Sequence, residues 1–165
     1  MLSEKPNAAV RALRLQGNYC RKDRMMKISA RNQFMGKVAS VAKGAVNAEV
    51  VLTLAGGETV VANITNSSVD SLGLAEGVAA CAIIKASEVM IGKGLDGTKL
   101  SARNALAGEV SQLLDGSVNS EVVVRLACGS EVVASITKSS VQRLGLKIGD
   151  RVSAIVKASN VMVGM

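Results

Sequence analysis

Ser29-Ala30-Arg31-Asn32 is followed, 101 − 29 = 72 residues later, by Ser101-Ala102-Arg103-Asn104. The same offset carries Val46-Asn47 to Val118-Asn119 and Glu49-Val50-Val51 to Glu121-Val122-Val123. It also carries Ile64-Thr65 to Ile136-Thr137, Leu72-Gly73-Leu74 to Leu144-Gly145-Leu146, and Lys85-Ala86-Ser87 to Lys157-Ala158-Ser159. No gap is needed, and about half of the aligned positions are identical. The chain is a tandem duplication.

Each copy runs for about 65 residues, from near Ile28 to Gly92 and from near Leu100 to Gly164. The expected division is a basic extension over 1–26, a first domain over 27–92, a turn-rich linker over 93–99 and a second domain over 100–165. Within copy one, Val46 to Leu54 and Thr59 to Thr65 are rich in β-branched residues. Ala55-Gly56-Gly57-Glu58 between them is a hairpin signal. Phe34 to Val41, Val78 to Lys85 and Val89 to Ile91 supply three further strands. One short helix sits among them, capped by Thr65 or Asn66 and ended by Gly73. Five short strands and one helix per copy predict an all-β fold: two tandem OB-like barrels.

Composition agrees. Apolar residues make up 48% of the 165, yet there is one Phe, one Tyr and no Trp. A core of Val, Ala, Leu and Ile suits strands. Domains this small bury little apolar surface, so oligomerisation is expected.

Several function classes fall away. With no His, and with Cys20, Cys81 and Cys128 as an odd set lacking a CxxC pair, the usual zinc sites and His-dependent catalysis are gone. No nucleophile–base pair, carboxylate pair or cation-ligating cluster stands out, so the chain does not read as an enzyme and no cofactor is expected. The walker motif GxxxxGK[ST] of an ATPase is missing. Unpaired cysteines, no secretory signal and no apolar run of about 20 residues predict a cytoplasmic protein that does not enter the membrane.

The net charge of +7 is concentrated at the front: residues 1–27 hold seven cations and two acids, 7 − 2 = +5. This stretch reads as a flexible leader, translated from upstream of a start at Met25 or Met26. A basic tail can also meet nucleic acid. Twenty-seven residues are too few for a helix-turn-helix unit, and two aromatics cannot form a base-stacking platform, so nucleic acid is not expected as a partner.

Ser29, Arg31, Asn32, Thr65, Ser67, Ser68, Lys85 and Ser87 stand at fixed places in the duplicated pattern, as do their equivalents 72 residues on. The set is hydroxyls, an amide and permanent cations. Glu49 and Glu121, the acids kept in both copies, lie in strand patterns where a surface ion pair is their expected job. A donor-only site suits an oxyanion, and no carboxylate accepts a proton there, which favours a fully deprotonated tetrahedral dianion. Taken singly, Thr65 and Ser68 also fit plain helix caps, and Lys85 a solvated strand end.

Three stretches, Ser29–Asn32, Gly44–Val50 and Ile84–Gly92, closely resemble the motifs of the Mop family of molybdate-binding domains. The chain as a whole is similar to a di-domain molbindin. The resemblance covers about 130 residues, nearly everything after Met26. It implies that the bound ligand is molybdate or tungstate, stored or buffered in the cell, and that six domains assemble as a homotrimer of chains. A molybdate-sensing regulator, with the basic N-terminus contacting nucleic acid or a partner, is the alternative.

The resemblance also implies which residues do the binding. Between domains they are Ser29, Ala30, Arg31, Thr65, Ser68, Lys85, Ala86 and Ser87, and in copy two Ser101, Ala102, Arg103, Thr137, Ser140, Lys157, Ala158 and Ser159. A second class near the threefold axis uses Ala45, Val46 and Asn47, and Ser117, Val118 and Asn119. Ser117 and Ser120 replace Ala45 and Ala48, so the two ends are expected to bind unequally.

Overall fold

The computed structural model describes residues 26–165, so the basic extension lies almost wholly outside the described residues. Copy one forms β1 (Asn32–Lys43), β2 (Asn47–Leu54), β3 (Thr59–Thr65), α1 (Asn66–Ser71), β4 (Ala79–Ile84) and β5 (Met90–Gly92). Copy two repeats the order as β6 (Asn104–Leu114), β7 (Asn119–Leu126), β8 (Glu131–Thr137), α2 (Lys138–Leu144), β9 (Arg151–Val156) and β10 (Val161–Gly164). Short 3-10 turns, Ala86–Glu88 and Ala158–Asn160, precede the last strand of each copy.

The strands alternate as half-buried strands should. On β2, Ala48, Val50, Leu52 and Leu54 point inward while their neighbours face out. β1 is long enough to serve two partners. Its first half pairs with β4 and its second half with β2, and the register shifts between Val38 and Ser40. β6 shifts in the same way between Val110 and Gln112. Such bulges bend a strand and sharpen its twist, which curls the sheet into a barrel. At the hand-over, Gly36 and Gly108 pass so close to the next strand that an added Cβ would lie 2.5 Å from the carbonyl oxygens of Thr53 and Arg125 respectively. Only glycine fits there.

The two five-stranded sheets run β10-β4-β1-β2-β3 and β5-β9-β6-β7-β8. Each copy's last strand therefore belongs to the other copy's sheet: Val161 pairs with Ile84, and Met90 with Ile155. The sequence reading built each barrel from the five strands of one copy; the structure keeps five strands per barrel but exchanges the last one between copies. The exchange merges the interiors. Buried side chains of both copies, from Phe34 to Val161, form one continuous cluster. Lys93 ties the linker down, donating to the Gly145 carbonyl (3.0 Å) and to Asp150 Oδ2 (2.7 Å).

Candidate functional site

Thr65 ends β3 and caps α1, its Oγ1 accepting the Ser68 N–H at 3.2 Å. The same oxygen lies 2.8 Å from Ser68 Oγ and 3.1 Å from Ser67 Oγ. In copy two, Thr137 repeats the arrangement with Ser140 N–H at 3.2 Å, Ser140 Oγ at 2.8 Å and Ser139 Oγ at 3.0 Å. The cap reading and the hydroxyl-cluster reading are thus the same object. Each helix start presents three clustered hydroxyls, with both threonines exposed and Ser68 and Ser140 half-buried.

The two arginines are held across the duplication. Arg31 donates twice to Glu121, with both contacts at 2.9 Å. Arg103 grips Glu49 likewise, at 2.8 and 3.1 Å. The planar guanidinium fork matches a carboxylate in two parallel bonds. Each pair lies at the surface, the arginines 56% and 58% exposed. Glu49 and Glu121 therefore fix where Ser29–Arg31 and Ser101–Arg103 sit: each triplet is pinned against the other copy's second strand.

Lys85 and Lys157 close β4 and β9 and lead into the 3-10 turns. Both are exposed, and neither ammonium has an acidic partner among the described residues. Ala86 is buried, and Ser87 and Ser159 are exposed. Because β5 and β10 change barrels, the Ala86–Glu88 turn packs on β8 of copy two and the Ala158–Asn160 turn on β3 of copy one. Copy two's Ser101–Arg103 and Lys157–Ser159 thereby come to the β2–β3 side of the first barrel, which ends at Thr65.

Ala45, Val46 and Asn47 form the exposed tip of the β1–β2 hairpin, and Ser117, Val118 and Asn119 that of β6–β7. Val46 and Val118 are 70% and 72% exposed, unusual for valine. Among the described residues the N–H groups of Ala45, Val46, Ser117 and Val118 have no protein acceptor. They adjoin the hydroxyl clusters as a second group of donors: Asn47 pairs with Thr65 and Asn119 with Thr137, and the Asn66 and Lys138 N–H groups donate to Val46 O and Val118 O, each at 2.9 Å.

Asn32, grouped with the polar residues in the sequence, does other work. It is 2% exposed, and its amide donates to Val133 O (2.8 Å) and accepts from Val133 N–H (2.7 Å). Asn104 binds Val61 in the same way, at 2.8 and 2.7 Å. The signal was in the sequence: Asn32 lies in phase with the inward residues Phe34, Gly36 and Val38. No group of three or more acids, cysteines or histidines that could hold a cation exists among the described residues. No helix among them is long and apolar enough to cross a membrane.

Two OB-like barrels, each with a hydroxyl cluster and with arginines held by acids across the duplication, define a tandem binding module. The TOBE domain family matches residues 28–91 and again 100–163, and the chain belongs to it. It is 43% identical over 140 residues to the molybdenum-pterin-binding protein MopA of Rhodobacter capsulatus, covering 85% of this chain and 53% of MopA. The molybdenum-pterin-binding protein 3 of Clostridium pasteurianum is 53% identical over 66 residues, 40% of this chain and 97% of that protein. The molybdenum transport protein ModE of Herbaspirillum seropedicae is 39% identical over 140 residues, 52% of its length. The chain thus spans about half the length of the longer curated relatives it matches. Among solved structures, the cytoplasmic molybdate-binding protein ModG with molybdate bound superposes with a TM-score of 0.83 at 46% identity, covering 85% of this chain and 99% of ModG. The family and fold are those of binding proteins.

Proposed function

We propose that this chain binds and buffers molybdate, and tungstate, in the cytoplasm and performs no catalysis. The observation that carries this is the likeness to molybdate-bound ModG, which extends over 99% of that chain at 46% identity. The chemistry supports it. The sites between domains would use the residues of the Thr65 and Thr137 clusters, the two arginine triplets and the Lys85–Ser87 and Lys157–Ser159 turns. Hydroxyls and ammonium groups donate to every oxygen of a tetrahedral dianion, and the nearby carboxylates of Glu49 and Glu121 are engaged by Arg103 and Arg31. The hairpin tips would form a second class of site around a threefold axis, joining three chains and six domains.

The exposed valines at those tips favour association, since an apolar side chain left in water gains by being covered. Three chains would weigh about 51 kDa, from 3 × 17.0 kDa. Elemental analysis of protein purified from molybdate-fed cells tests the reading: molybdenum should co-purify, and its absence speaks against storage. A second reading, a molybdate-responsive regulator, is favoured by the 34% identity over 141 residues to the transcriptional regulator ModE of Yersinia pestis. It requires specific retention on DNA, which a gel-shift assay with and without molybdate would detect.

A further inference from the structure

We propose that Asp115 makes the two hairpin sites unequal, so that the copy-one tip takes the oxyanion and the copy-two tip rejects it. This rests on the hairpins being anion sites, as set out above. The two tips offer the same unpaired backbone donors, but an ion-paired lysine at the base of one is replaced in the other by an aspartate with no ion-pair partner among the described residues.

In copy one the residue at the hairpin base is a cation, and it is paired. Lys43 forms an ion pair with Asp70 on α1, and Asn66 Nδ2 donates to Gly44 O at 2.9 Å. The equivalents of Lys43, Asn66 and Asp70 in copy two are Asp115, Lys138 and Gln142. All three partners of the junction have changed together, and the cation beside the donors has become a carboxylate.

That carboxylate is held in place. Ser120 Oγ donates to Asp115 Oδ1 at 2.9 Å, and Ser120 is only 2% exposed. Copy one has Ala48 at this position, with no hydroxyl to offer. Lys138 reaches the same hairpin through its backbone N–H, which donates to Val118 O at 2.9 Å. Its ammonium makes no ion pair with Asp115 among the described residues. A fixed negative charge with no ion-pair partner among the described residues therefore sits two and three residues from the donors, Ser117 and Val118, that would hold a dianion. Around a threefold axis it would be present three times.

Repulsion between a dianion and a carboxylate several ångströms away in water reduces affinity about five- to tenfold per carboxylate at low salt. The penalty shrinks as ionic strength rises.

Calorimetric titration of the full chain with sodium molybdate at low ionic strength tests this, comparing the wild type with Asp115→Asn and Asp115→Lys. Asp115→Asn keeps an acceptor for Ser120, so the fold should persist, and circular dichroism checks it. Both variants should bind more molybdate per chain than the wild type, and the new class should bind at least about tenfold tighter in the lysine variant than in the asparagine one. Added salt should diminish the difference between wild type and variants. Unchanged stoichiometry and affinity in both folded variants, alongside a wild type that does bind, would overturn this proposal alone. A wild type that binds no molybdate would overturn both it and the function proposed above.

Discussion

Asn104 on β6 holds the main chain of Val61 on β3 by both its N–H and its carbonyl, at 2.7 and 2.8 Å. One buried amide thus stands in for a neighbouring strand at the exposed edge of the opposite barrel. Asn32 does the same for Val133 on β8. Truncating either amide leaves a buried N–H and C=O without partners, at about 1–3 kcal/mol for each unsatisfied group. Asn32→Ala and Asn104→Ala should each lower the unfolding free energy by about 2–4 kcal/mol in urea titrations. A loss under about 0.5 kcal/mol in both would show that water replaces the amide freely.

The exchange of β5 and β10 predicts how half the chain behaves. A fragment spanning residues 26–99 carries a fifth strand whose partner, β9, is missing, together with a β4 edge that β10 would have covered. Two such fragments can satisfy each other by reciprocal exchange, since the copies are similar in sequence. Light scattering should find no stable folded monomer, only dimers or multiples of dimers. A folded, monomeric fragment would mean that β5 turns back onto its own β4.

Much of this architecture was legible in the sequence. The β-branched runs marked β2, β3 and β4 to within a residue or so, and the Gly-containing turns marked their ends. The exchange was not legible, because Val89–Ile91 and Val161–Val163 have equivalent apolar patterns and either would fit either barrel. Tertiary contacts decide it, among them the anchoring of Lys93 on Gly145 and Asp150. At the site, the threonine–serine clusters were visible as a repeated pattern. The grip of Arg31 on Glu121 was not, since nothing local links residues 90 positions apart. The retention of this one acid position in both copies, as Glu49 and Glu121, was its only trace.

Asp150 gives the fold a pH dependence of known sign. The hydrogen bond from Lys93, and then the backbone N–H of Lys147, hold its carboxyl below the usual aspartate value. A carboxyl depressed in the folded state contributes stability that is present above its unfolded pKa and is lost as pH falls through the folded value. Wild type should therefore exceed Asp150→Asn in stability at neutral pH, with the difference closing below about pH 4. Paired melts at pH 7 and pH 3 check this, and a difference that grew on acidification would reverse the assignment.

Lys85 and Lys157 separate a ligand role from a solvated strand end. As strand ends, their replacement by Ala changes stability by no more than about 0.5 kcal/mol and leaves anion binding alone. As donors to a dianion, each contributes a charge-assisted contact worth about 1.5–3 kcal/mol. Molybdate affinity at one subset of sites should then fall by roughly ten- to a hundredfold in each single variant. The double variant should lose both subsets while staying folded.

The most direct measurement is a calorimetric titration of the full-length protein with molybdate, repeated with tungstate, sulfate and phosphate. The proposed function predicts saturable uptake of molybdate and tungstate, with sulfate and phosphate far weaker. Equal affinity for sulfate, or no heat with molybdate, would contradict it.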